Sequence, residues 1–133
     1  MREILFRGKR VDNGEWVVSN SIMQTNYSGT FLWYKGCWGE AESVGEYTGL
    51  TDKKGKKIFE GDILQDKFGQ IKTVDYYKEW GAFRTCFVKA FNEEGNLAAT
   101  VGGASFVGDI WKKYEVIGNI HDNPELLEEK RHR

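Results

Sequence analysis

Apolar residues along this chain fall in short runs that alternate with polar positions, and Gly, Asn and Asp cut the runs at frequent intervals. A period near two, punctuated this way, predicts strands and tight turns. Residues 3–10 read as a first strand, with Ile4 and Phe6 on one face and Leu5 and Arg7 on the other. Asp12-Asn13-Gly14 follows, and Asn and Gly accept the positive φ that a tight reversal needs. Trp16-Val17-Val18 then returns as a second strand, completing an N-terminal hairpin. Residues 23–30 are polar and read as a loop. Phe31-Leu32-Trp33-Tyr34 is an unbroken apolar run, Gly36 and Gly39 bracket Cys37-Trp38 as a turn with room for a short pairing segment, and a second loop leads to Val44.

The clearest meander lies between Val44 and Asp66. A strand over 44–50 precedes the turn Asp52-Lys53-Lys54-Gly55, then a short return at Lys57-Ile58-Phe59. Glu60-Gly61-Asp62 turns into a strand over 62–67, and Phe68-Gly69-Gln70 into one over 71–77. Residues 82–91 form the longest predicted strand, 97–101 pair back after a turn at 92–96, and 114–120 make a last strand. Residues 106–111 fit either a strand or one helical turn. Asp122-Asn123-Pro124-Glu125 supplies an N-cap, a proline in the first turn and an acid near the positive dipole end, so a short C-terminal helix follows. Leu126 and Leu127 would pack it back, and Lys130, Arg131, His132 and Arg133 suit its negative end. The fold class expected is mainly β, a meander with an additional N-terminal hairpin and a short C-terminal helix, in a single domain over 1–133.

Composition adds limits. A chain of 133 residues forms one domain and buries a core without staples. Five Trp, six Tyr and eight Phe give a small β-core large buried areas per side chain. Nineteen Lys and Arg against twenty Asp and Glu leave a net charge of −1, so no overall basic field draws in nucleic acid or anionic membrane. Weak repulsion between copies favours self-association. Cys37 and Cys86 form no C-x-x-C pair, and the charged N-terminus has no apolar signal core. Two buried free thiols in a reducing cytoplasm are therefore expected, and no apolar run is long enough to span a bilayer.

Candidate chemistry is sparse. His121 and His132 are the only histidines, and neither sits in a Cys–His signature. Asp62, Asp109 and Asp122 could serve as paired acids if two converged, yet each flanks a turn where Asp bonds the backbone. No metal-ligand spacing and no phosphate-binding Gly loop is present, so no catalytic residue, metal or cofactor is expected. Lys53, Lys54, Lys56 and Lys57 surround one hairpin tip, which could grip a phosphate backbone or simply be solvated. Trp33, Tyr34 and Trp38 belong to an apolar run that is either core or an edge for a second subunit or protein partner. The favoured function is a non-enzymatic binding or assembly module, with nucleic-acid binding at the lysine hairpin as the alternative.

Three segments in order resemble the YopX family of phage and prophage proteins. They are Arg2-Glu3-Ile4-Leu5-Phe6-Arg7 with its hairpin; Tyr47-Thr48-Gly49-Leu50-Thr51-Asp52 with Ile58-Phe59-Glu60-Gly61-Asp62; and the closing Val116-Ile117-Gly118-Asn119-Ile120-His121-Asp122-Asn123-Pro124-Glu125-Leu126-Leu127. The resemblance implies a mostly-β fold containing a small SH3-like barrel, acting in the cytoplasm of a bacterial host. It implies no functional residues, and Gly49, Gly61, Asp62, Gly118 and Pro124 read as turn and cap positions.

Overall fold

A computed structural model describes residues 3–26, 29–79, 81–91, 97–99, 102–106 and 110–127, with only the backbone described within 87–111. The chain is mainly β and divides into two compact units, Met1–Gly49 and Leu50–Arg133.

In the first unit, β1 (Phe6–Arg10) and β2 (Trp16–Ser19) form the N-terminal hairpin expected from Asp12-Asn13-Gly14. Glu15 N–H donates to Asn13 Oδ1 at 2.9 Å and Gly14 N–H to the Arg10 carbonyl at 2.8 Å. β3 (Ile22–Thr25), β4 (Gly29–Tyr34) and β5 (Cys37–Thr51) complete an antiparallel order β2-β1-β5-β4-β3. Two expected loops are therefore strands. The polar stretch after Ile22 pairs with β4, and the segment before Val44 is the first half of β5. Both were disguised because one face of this sheet meets solvent, where polar residues are ordinary. The β4–β5 turn is Lys35-Gly36, with φ of 51° and 86°. Two consecutive left-handed residues are what a two-residue hairpin loop requires.

Direct cross-strand partners share a face. One face buries Val17, Leu32 and Ala41, with Phe6, Ile22, Tyr34 and Val44 packed against them. Leu32 in the Phe31–Tyr34 run is thus core, whereas Trp33 and Trp38 point outward at 43% and 42% exposure. Both thiols are free, but Cys37 is exposed and Cys86 half-buried. The expectation of two buried thiols fails because Cys37 opens β5 beside an exposed turn.

The second unit begins in the lysine hairpin. β6 (Lys57–Phe59), β7 (Asp62–Gln65), β8 (Ile71–Tyr77) and β9 (Ala82–Phe91) are followed by β10 (Leu97–Ala99) and β11 (Gly102–Phe106). One helical turn, α1 (Ile110–Lys113), precedes β12 (Glu115–Asn119). The sheet runs β10-β9-β8-β7-β12, with β11 also on β9. Its ends, β10 and β12, are not paired, so the small SH3-like barrel implied by the resemblance does not close among the described residues. Ile58, Leu64, Val74, Phe83, Tyr114 and Val116 form the core, with Leu50 against it. The C-terminal helix is a single 3-10 turn at Pro124–Leu127; residues 128–133 lie outside the described set, as do Asp109, the 92–96 turn and the basic end of the tail.

Two polar devices hold this unit's turns. Asp52, 3% exposed, accepts the N–H groups of Lys54 and Lys56 on Oδ1 and that of Val116 on Oδ2, all at 2.9 Å. Burial by itself would raise its pKa, but the donations from Val116, Lys56 and Lys54, with the Lys56 charge, outweigh burial and hold it below the ordinary carboxylate range. In the closing segment, Asn119 Oδ1 accepts the N–H groups of His121 and Asp122 at 3.0 and 2.9 Å, and Asn123 Oδ1 accepts that of Asn119 at 3.2 Å. Gly118 permits this fold-back, because a Cβ there would lie 2.5 Å from Asn123 Oδ1.

Asp52→Asn is expected to lower stability by about 2–3 kcal/mol in urea unfolding, the worth of charge-assisted bonds left short of an acceptor. With its folded pKa depressed, the Asp52 contribution is full above the ordinary carboxylate range and drains as pH falls through the lowered value. The variant should therefore show a shallower acid-side loss of stability than the parent. Gly118→Ala should cost about 1–3 kcal/mol in the same assay, because a methyl group must displace the Asn123 amide. A neutral result would show that the closing turn yields freely.

Candidate anion-binding cleft

The Asp52 bonds tie the lysine hairpin to the start of β12. Lys53 N–H also donates to the Tyr114 carbonyl at 3.0 Å, so the Lys53 backbone lies alongside Tyr114. β12 pairs with β7 in the register Glu115↔Gln65. That register sets the turn after β7 beside the residues that precede β12. The turn is closed by Asp66, whose Oδ1 accepts the N–H groups of Phe68 and Gln70 at 2.9 Å and whose Oδ2 accepts Gln70 Nε2 at 2.8 Å.

A cleft of about 480 Å³ opens where these segments meet. Lys53, Lys67, Lys112 and Lys113 line it together with Phe68, Gln70 and Tyr114, and Asp66 is the acid among these described lining residues. Phe68 is 65% exposed, and Lys67 Nζ lies 5.1 Å from its ring centroid, a cation–π contact. Behind the lining, Lys72 Nζ sits 5.0 Å from the centre of the Tyr114 ring. Burial pushes the Lys72 pKa down, and the nearby Lys113 charge lowers it further while Asp66 opposes both. Burial, with Asp66, pushes the Tyr114 hydroxyl up to about 12, so the phenol stays neutral at physiological pH. The cleft is a local excess of positive charge on a chain whose net charge is −1.

The residues singled out from sequence separate. Of the hairpin lysines, Lys53 lines the cleft, Lys54 pairs with Glu115 Oε2 at 3.0 Å, and Lys56 and Lys57 are exposed outside the lining. Trp33 and Trp38 meet edge-to-face in the first unit with ring centroids 5.3 Å apart, while Tyr34 packs on that unit's core. Lys67, Phe68, Lys112, Lys113 and Tyr114 were missed. The only sequence signal for them is that Lys112-Lys113 and Lys67 each adjoin an aromatic residue.

The acids considered for catalysis sit at turns where they are described. Asp62 is fully buried and accepts Phe59 N–H at 2.7 Å, and Asp122 is exposed in the Asn119 turn. Among the described residues, no three His, Cys, Asp or Glu side chains gather as a metal-ligand set, and no helix is long and apolar enough to cross a membrane. What the lysine cleft offers chemically is charge for an anion and a ring for a flat group.

No curated protein matches the chain significantly. The family model described as YopX protein matches residues 5–128, a span that contains the hairpin after β1, the Asp52 and Asp62 turns, the whole cleft and the Asn119 turn. With nearly its full length matched, this chain belongs to the YopX protein family.

Proposed function

We propose that this YopX-family protein is a non-enzymatic binding module whose cleft takes single-stranded nucleic acid. The observation that supports it is the convergence of Lys53, Lys67, Lys112 and Lys113 on one cleft that also holds the exposed Phe68 ring. A phosphate chain supplies anions at regular spacing for the ammonium groups, and an exposed aromatic ring gives one base a stacking surface. Sequence-tolerant binding follows, since every base has a π-face and the lysines read charge alone.

Asp66 does not cancel this attraction outright, because its one carboxylate faces four ammonium groups along the lining. With a net charge of −1, the rest of the molecule adds no long-range pull, so affinity must come from the cleft and must be short-ranged. Binding of this kind needs no cofactor and no nucleophile. A phage or prophage source and action in the host cytoplasm form part of the proposal, as the resemblance implies.

Fluorescence anisotropy with a short labelled single-stranded oligonucleotide tests it. Neutralising about four phosphates gives a slope near −3 for log affinity against log salt. Lys53→Glu combined with Lys112→Glu and Lys113→Glu should abolish binding, and Phe68→Ala should weaken it by roughly 1–3 kcal/mol. Lys35→Glu, at the first unit's exposed turn, should leave affinity unchanged. Absence of binding at low salt, or an equal loss in Lys35→Glu, refutes the nucleic-acid reading.

A further inference from the structure

The lysine cleft has the dimensions of one nucleotide rather than of a strand track. Its volume of about 480 Å³ falls toward the lower end of the roughly 300–1,000 Å³ of pockets that enclose one small molecule. A groove that follows a single strand spans about 4–16 nucleotides and offers successive bases aromatic surfaces to stack on. Among the described lining residues the aromatics are Phe68 and Tyr114, and Tyr114 is buried. Lys67 Nζ sits over the Phe68 ring, 5.1 Å from its centre, and so takes one of its faces. The other face of this exposed ring has room for a single base, which completes a stack of ammonium, ring and base.

The charge of the lining exceeds what one internal link of a strand supplies. Lys53, Lys67, Lys112 and Lys113 bring four positive charges and Asp66 one negative, which leaves an excess of three. Glu115, the next residue after Tyr114, is engaged with Lys54 Nζ at 3.0 Å. Behind the lining stands another amine, Lys72, whose pKa burial and then the Lys113 charge push down, so cations are crowded here. An internal nucleotide answers with one phosphodiester charge. A terminal phosphate carries about −1.5 to −2 at neutral pH and three acceptor oxygens, and an adjoining phosphodiester adds to it. A bare inorganic anion would meet the lysines but leave the Phe68 ring without a partner. A nucleotide that ends in a phosphate meets both.

Building on the reading of the cleft as a nucleic-acid site, we propose that it holds one nucleotide bearing a terminal phosphate, its base on Phe68 and its phosphate among Lys53, Lys112 and Lys113. That chemistry occurs at a phosphorylated strand end and in a free nucleoside monophosphate.

Isothermal titration calorimetry of the full chain at low salt tests this with one short oligonucleotide sequence in three forms: unphosphorylated, 5′-phosphorylated and 3′-phosphorylated. A nucleoside monophosphate and inorganic phosphate complete the set of probes. A phosphorylated end should bind roughly tenfold or more tightly than the unphosphorylated strand, through added charge-assisted hydrogen bonds. Lys112→Ala combined with Lys113→Ala, both at exposed positions, should bring that ratio close to unity with unchanged circular dichroism. Phe68→Ala should weaken all three strands and leave the ratio intact. The nucleoside monophosphate should bind more tightly than inorganic phosphate, and Phe68→Ala should remove the difference. Equal affinity for the three strands, or a ratio that survives the double lysine change, overturns the inference while strand binding still stands. Binding of the monophosphate without any strand supports the inference, with the free nucleotide as source, and removes the strand reading. Inorganic phosphate matching the monophosphate overturns the inference, and no binding by any probe overturns both.

Discussion

The Asp52 carboxylate organises the second unit. Two of its backbone donors lie in its own hairpin and the third is Val116, 64 positions away. Each of these N–H groups would otherwise need another partner, and a buried donor left without one costs about 1–3 kcal/mol. One side chain thus closes a turn and attaches that turn to a distant strand. It also decides where Lys53 stands, because the Lys53 N–H bonds the Tyr114 carbonyl in the same junction.

The same use of aspartate recurs at Asp62 and Asp66, whose oxygens accept backbone N–H groups within their own turns. Charge-assisted acceptors of this kind stiffen reversals that the sheet ladder cannot reach. The consequence for electrostatics is specific. Of these carboxylates only Asp66 lines the cleft, where it meets Lys53, Lys67, Lys112 and Lys113. A chain with balanced total charge thereby acquires a strongly basic locality. In the first unit the arrangement is the reverse: acids and bases alternate across one sheet face and cancel nearby, leaving tryptophan as the dominant exposed feature.

The energetic roles of the two aromatic populations differ for the same reason. Tyr114 and Phe83 are buried and fill the second core, where area removed from water is what counts. Trp33, Trp38 and Phe68 are exposed. High aromatic content is therefore not all core filling: Trp33 and Trp38 lie on the first unit's solvent face, Phe68 lines the cleft, and Tyr76, also exposed, meets Phe83 edge-to-face.

Much of the local structure was legible in the sequence. Asp12-Asn13-Gly14, Asp52 to Gly55 and Glu60-Gly61-Asp62 announced their reversals, because left-handed torsions and Asx bonding demand particular residues at adjacent positions. The mainly β class followed from period-two alternation. β3 and the first half of β5 escaped notice, since a strand with one wet face, such as Gln24 or Glu40 and Glu42, has the composition of a loop. The cleft was invisible for a different reason. Lys67 and Lys112 become neighbours through the Glu115↔Gln65 register, and no feature near either lysine encodes that pairing. The sequence by itself determined where the chain turns and which runs are extended, because torsional preference acts between residues in contact along the backbone. Which charges converge, which aromatics stay exposed and that, among the described residues, the sheet ends are not paired were settled only in three dimensions, because those depend on hydrogen bonds and packing between segments far removed in order.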